Sequence, residues 1–110
     1  MVSIEEIIRN KALVRLSSIF SVPVKILDGD MLITKIKEPR KISLLKRNEY
    51  DIVADDIRDV ASTRILKLIN NGDLTIITVD DYVNHMISCY KEVPRLVNNL
   101  LGDTNVGDSS

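Results

Sequence analysis

The stretch from Glu49 to Val79, EYDIVADDIRDVASTRILKLINNGDLTIITV, constrains the fold of this chain more than any other. Tyr50 to Val53 is short, β-branched and aromatic, a composition that suits a strand. Asp55 or Asp56 can then accept from the first free backbone N–H groups of a helix. Ile57, Val60, Ala61, Ile65, Leu68 and Ile69 recur at three- and four-residue spacing, which predicts one apolar helical face. Asn70, Asn71 and Gly72 end that helix, because glycine takes a left-handed conformation without steric cost. Leu74 to Val79 is apolar and reads as a second strand. The other elements are expected to pack on this unit.

A chain of 110 residues favours one domain. Hydrophobic residues make up 45%, enough to build a core, while aromatics are only 4%, so that core must come mainly from Ile, Leu and Val. A net charge of −1 argues against a general nucleic-acid coat protein, whose affinity would come from excess Lys and Arg. Cys89 is the only cysteine, so no intrachain disulfide can form, which fits a reducing compartment. MVSIEEIIRN lacks the basic flank and unbroken apolar run of a signal peptide. No run of about 18 apolar residues exists, so no membrane span is predicted and a cytoplasmic location is expected.

Ser3 to Phe20 reads as a first helix. Ser3 and Glu6 have capping-box spacing. Ile4, Ile8, Ala12, Leu16 and Ile19 form a stripe that Ile7, Leu13 and Phe20 widen. It fits a core-packing helix or, by its width, a partner-docking one. Val22 to Ile36 reads as a β-hairpin, VPVKIL and MLITKI flanking Asp28-Gly29, a pair suited to a type I′ turn. Lys41 to Leu45 is a plausible third strand. Residues 22–53 are thus expected to form a small antiparallel sheet. After Leu74–Val79, Asp80-Asp81 starts another helix with Val83, Met86, Ile87 and Tyr90 on its apolar face. Pro94 kinks it or opens a new one. Leu96, Val97, Leu100 and Leu101 continue an apolar face and Gly102 stops it. The expected architecture is a single small α+β domain over residues 1–102: an N-terminal helix, a β module at about 22–53 and a mainly helical part at about 54–102. A mobile polar tail, 103–110, follows.

Candidate chemistry is sparse. Lys35, Lys37, Arg40, Lys41, Lys46 and Arg47 form a basic window opposed only by Glu38. It is the candidate nucleic-acid contact, or a sheet edge kept from aggregating by its lysines. Asp55, Asp56 and Asp59 suit a helix N-terminus. They lack the order of a calcium loop, so no metal is expected there. His85 and Cys89, at i and i+4, could approach one metal ion, but two ligands make no zinc site and no third group completes a nucleophile. Core or surface filling is the simpler role for both. No phosphate loop, Ser/His/Asp set or repeated Cys/His spacing exists. No catalytic residue, metal or cofactor is expected, and the chain reads as no enzyme.

The strand YDIV, the helix carrying Ala61, Ile65 and Leu68, then NNGDLTII and a helix beginning at DDY together resemble a GINS subunit of the archaeal and eukaryotic replicative helicase assembly. The type is the one whose small β module precedes the helical part, and the likeness spans residues of about 22–101. The resemblance implies a non-enzymatic scaffold in DNA replication that binds a sister GINS-type subunit, the MCM helicase and a RecJ-like protein, as a homo- or hetero-oligomer. The alternative is a small winged-helix-like nucleic-acid-binding or regulatory protein whose basic hairpin touches phosphates. Three apolar stripes are many for so short a chain, so at least one is expected to stay exposed as a protein interface. The candidates are Ile4, Ile8 and Leu13 on the first helix and Leu96, Val97 and Leu100 on the last.

Overall fold

The computed structural model describes residues 3–36 and 49–102. Five α-helices carry that chain: α1 Ile4–Phe20, α2 Glu49–Asp59, α3 Thr63–Asn70, α4 Val79–Glu92 and α5 Pro94–Leu101. Two 3₁₀ turns, Val24–Ile26 and Ile33–Lys35, lie between α1 and α2. The domain is therefore helical. The expected α+β architecture with an antiparallel sheet is not formed among the described residues, where the only β pairing is one isolated bridge, Leu32 to Thr78. The expected third strand at Lys41–Leu45 and the polar tail lie outside the described residues.

Helix α1 forms where its sequence predicts, with the Ser3 half of the expected capping box and with Ile4 of the expected stripe left exposed. The Ser3 hydroxyl accepts from the Glu6 N–H at 3.1 Å, and Glu5 and Glu6 place negative charge against the positive end of the helix dipole. Ser21 closes the helix in the left-handed region at φ 56°. The four-residue stripe Ile8, Ala12, Leu16 and Phe20 is fully buried. Its main neighbour is α4, which buries Val79, Tyr82, Val83, Met86 and Cys89. Ala12 keeps the centre of that contact narrow.

Tyr50 to Val53 is the first turn and a half of α2 rather than a strand. Four residues are too few to separate a period of 2 from one of 3.6. The longer series Tyr50, Val53, Ile57 and Val60 has helical spacing, and Val53 and Val60 are buried. The single central helix expected over Asp55–Ile69 is two helices. The chain turns at Val60 and Ala61, both buried, and Ser62 restarts it as the N-cap of α3, its hydroxyl accepting from the Ile65 N–H at 3.3 Å. Gly72 ends α3 as predicted, at φ 80°. Gly72 N–H reaches the Ile69 carbonyl at 3.1 Å and Asp73 N–H the Leu68 carbonyl at 2.9 Å, the paired closure of a Schellman motif.

The expected hairpin over Val22–Ile36 is replaced by turns. Ile33 and Ile36, three apart, are the buried pair, which is a 3₁₀ spacing and not a strand's alternation. Gly29 is not among the positive-φ residues, so Asp28-Gly29 makes no type I′ turn. Its glycine serves close approach. A Cβ at Gly29 would sit 2.5 Å from the Asp80 carboxylate, and Asp80 N–H donates to the Gly29 carbonyl at 3.0 Å. The expected strand over Leu74–Val79 does not form: residues 74–77 carry no regular structure, Val79 already belongs to α4, and the segment pairs only at its end, through Ile33 N–H to the Ile77 carbonyl and Val79 N–H to the Met31 carbonyl, both 2.9 Å.

Helix α4 starts at Val79, one residue before the expected Asp80. Thr78 and Asp81 form a reciprocal capping box, Asp81 N–H to Thr78 Oγ1 at 3.1 Å and Thr78 N–H to Asp81 Oδ2 at 3.0 Å. The Thr78 N–H, and the Ile77 N–H that also donates to Oδ2 at 3.0 Å, hold the Asp81 carboxyl below its usual range. Pro94 opens α5 at its first turn, where its missing N–H costs nothing, and Gly102 follows the last turn.

Leu16→Ala is expected to cost about 2–5 kcal/mol in urea unfolding, as a large-to-small change in a packed core does. Val14→Ala, two residues away on a face 57% exposed, should shift stability by no more than about 0.5 kcal/mol. Equal losses would show that α1 does not bury this face.

Candidate functional site

Asp56 is the most buried charge of the described chain, at 2% exposure. It sits on α2 among apolar neighbours and is held from two other helices. Arg15 of α1 donates through Nε at 2.8 Å and through Nη2 at 2.9 Å, a bidentate clasp of both oxygens. The Tyr82 hydroxyl of α4 donates to Oδ2 at 2.9 Å. The hydrogen bond to Asp56 raises the Arg15 pKa, and burial, followed by the Asp56 charge, drives that of Tyr82 far above the usual phenol value. Both donors stay protonated at neutral pH. With its oxygens met by these donors, the carboxylate ties α1, α2 and α4 together.

His85 and Cys89 are likewise inside, both on the inner face of α4. His85 Nε2 lies 2.8 Å from the Ile57 carbonyl oxygen. That oxygen can only accept, so Nε2 carries the proton. Cys89 Sγ is 3.5 Å from Nε2 and 3.8 Å from Nδ1. Burial lowers the imidazole's pKa, against the opposing effect of the Ile57 carbonyl. Burial, then the Glu92 charge, pushes the Cys89 thiol up to about 12. A thiol of that kind is not a thiolate at neutral pH and is a poor nucleophile. Among the described residues no three His, Cys, Asp or Glu side chains converge as metal ligands. No helix there is long and apolar enough to cross a membrane.

Among the described residues, an open groove lies beside segment 73–78. One hollow of about 400 Å³ lies between α2, the end of α3 and Leu74–Ile76, floored by Ala54, Ile57, Ile69, Leu74 and Ile76. A second, of about 250 Å³, continues it past Ile76 and Ile77 toward Tyr50, Val53 and Ile33. A third, of about 240 Å³, lies on the α4 side of the same segment, where Asn84, His85 and Ser88 meet Leu68 and Ile76. Ile77 stands on the rim, 54% exposed. Alternation along the segment turns Leu74 and Ile76 partly inward and leaves Thr75 and Ile77 out.

The six residues expected at an interface do not make one face. Ile8 and Val97 are fully buried in the core and present nothing to a partner. Leu13, Leu96 and Leu100 are half-buried, and Ile4 is 41% exposed. Of the basic window only Lys35 lies within the described residues, exposed on the second 3₁₀ turn. Lys37, Arg40, Lys41, Lys46 and Arg47 lie outside them. Sequence reasoning missed the groove. The available signal was the alternation of LTII with no second strand of matching register. Comparison with protein-family models, curated proteins and solved structures finds no match to this chain.

Two outcomes follow from the buried groups. Arg15→Met strands the Asp56 carboxylate and should cost about 3 kcal/mol, the low end for a broken buried pair because a third of the Arg15 side chain is exposed (33%). Tyr82→Phe removes one neutral donor and should cost about 1–3 kcal/mol. Denaturant titration of both variants checks the order, and a costlier Tyr82→Phe would reverse the assignment of the main tie. His85 is the chain's only histidine, so its titration reads without ambiguity. The unfolded imidazole takes a proton near pH 6.5 and the folded one resists it. Stability is therefore full above about pH 6.5 and falls as pH drops below it, until the lowered folded pKa is passed. His85→Gln should flatten that slope, and an unchanged slope in the variant would assign the acid sensitivity elsewhere.

Proposed function

We propose that this chain is a non-enzymatic interaction module whose working surface is the groove beside residues 73–78. The observation that carries this reading is a division within the described chain. Asp56, Tyr82 and Cys89 are engaged inside the fold, and His85 is bonded to the Ile57 carbonyl and reaches only the hollow on the α4 side, whereas the two hollows along α2 are floored by aliphatic side chains. Aliphatic hollows with a projecting Ile77 supply contact area and no reaction.

The resemblance to GINS subunits gives the partner class of this proposal: a sister GINS-type subunit, with MCM and a RecJ-like protein as further contacts in DNA replication. Two of the pieces that carried the resemblance have changed character. YDIV is helical, and LTII is extended without a ladder. What supports the replisome role is the glycine-closed helix at NNGD followed by the helix at DDY. The winged-helix alternative has no such support, since the hairpin that would form its wing is a pair of 3₁₀ turns.

Co-expression with a sister GINS-type subunit tests this directly. Light scattering should give a stoichiometric complex that Ile77→Asp dissolves, with the melting temperature of the isolated chain unchanged, because a charge is disfavoured in an interface core and harmless on an exposed rim. A monodisperse mixture of separate subunits would overturn the replisome assignment. A complex indifferent to Ile77→Asp would move the interface away from this groove.

A further inference from the structure

We infer that the larger hollow of this groove receives an acidic amphipathic peptide segment of a partner protein, an apolar anchor with a carboxylate beside it. The inference rests on the reading of the chain as an interaction module and adds the chemistry of what it binds. Its basis is charge complementarity. Among the described residues, the hollow between α2, α3 and Leu74–Ile76 has one charged side chain in its lining, Arg58. Arg9, Arg15 and Arg64 are each paired with a carboxylate, Asp80, Asp56 and Glu92. Arg58 has no carboxylate partner there, and its hydrogen bond is a long one, Nε to the Ala54 carbonyl of its own helix at 3.5 Å. Asn70 and Thr75 complete a polar rim around the aliphatic floor. A cation beside such a floor attracts a group that brings both methylenes and negative charge. The hollow also continues past Ile76 into a second one of about 250 Å³, which favours a peptide over a compact ligand, since successive anchors of a chain can fill adjoining hollows.

The test is an amide-resolved NMR titration of the full chain with three probes: a short peptide with Leu anchors and Glu between them, the same peptide with Lys for Glu, and octanoate. The expected result is movement of the Ile57, Arg58, Ile69, Leu74 and Ile76 amides by the Glu peptide, weakening with salt. Arg58→Glu should loosen the Glu peptide by about fivefold and tighten the Lys peptide, the scale expected of an exposed ion pair reversed in sign. Arg58→Gln, which adds no repulsion, should fall between wild type and Arg58→Glu, and a wild-type melting temperature in both variants ties the loss to binding. Equal affinity for both peptides, or indifference to Arg58→Glu, would overturn the inference, while the light-scattering result with Ile77→Asp judges the module reading separately. Octanoate moving these amides where neither peptide does would replace the peptide with a fatty carboxylate. The same amides moving with protein concentration alone would replace it with a second copy of the chain.

Discussion

The clasp of Asp56 by Arg15 and Tyr82 is the constraint on which the helical arrangement depends. It joins α1, α2 and α4 across 41 and 26 residues of sequence. A carboxylate at 2% exposure is tolerable only when its oxygens are met by donors. Two of three donor bonds come from a guanidinium whose planar fork matches the carboxylate's geometry. The aliphatic contacts around it have no such directionality. Ile, Leu and Val can slide past one another at small cost, whereas moving α2 by one turn along α1 would leave Asp56 buried and alone. The clasp thus sets register for a core that would otherwise specify it loosely.

Tyr82 has a second part in this. The chain has one Phe, three Tyr and no Trp. Tyr82 is among the largest fully buried side chains, so its ring fills the volume that a Trp or Phe would fill elsewhere, and its hydroxyl answers Asp56. Phe20 and Tyr50 meet with ring centroids 5.7 Å apart, tilted at 56°, and so fasten the end of α1 to the start of α2. These three aromatics sit at junctions between helices, and aliphatic residues fill what lies between.

What could be read from the sequence follows from the range of each interaction. The Ser3 cap, the Gly72 stop, Pro94 and Gly102 act within a few residues, and each stands where local chemistry predicts. The errors are short β-branched runs, where tertiary contacts decide. YDIV carries strand propensity, but Tyr50 and Val53 sit at helical spacing on the face that meets the core. Ser62 was a readable N-cap passed over because the apolar periodicity runs through it, and its hydroxyl is also engaged with Glu92 Oε1 at 2.8 Å. The Arg15–Asp56 clasp left no local mark, because a buried Asp three residues after Val53 looks like any acid in a first turn. The groove was hidden for the same reason, being made by three separate segments.

The failure of LTIITV to become a strand has two identifiable causes, one on each side of the missing ladder. An antiparallel ladder through the Leu32–Thr78 bridge would pair Ile77 N–H with the Ile33 carbonyl, then continue to Thr75 and Lys35. Asp81 takes the Ile77 N–H first, its Oδ2 accepting from both Ile77 and Thr78 at 3.0 Å as part of the α4 cap. On the other side Lys35 N–H turns back to the Leu32 carbonyl at 2.8 Å, which closes the 3₁₀ turn. Each choice satisfies a donor locally and with a short loop, so neither bears the entropy of aligning a second strand. A carboxylate acceptor also makes the stronger bond. One acidic side chain at a helix start, with the 3₁₀ turn opposite, therefore decides whether the segment before it joins a ladder or stays unpaired. The backbone it leaves unladdered is the segment that lines the groove.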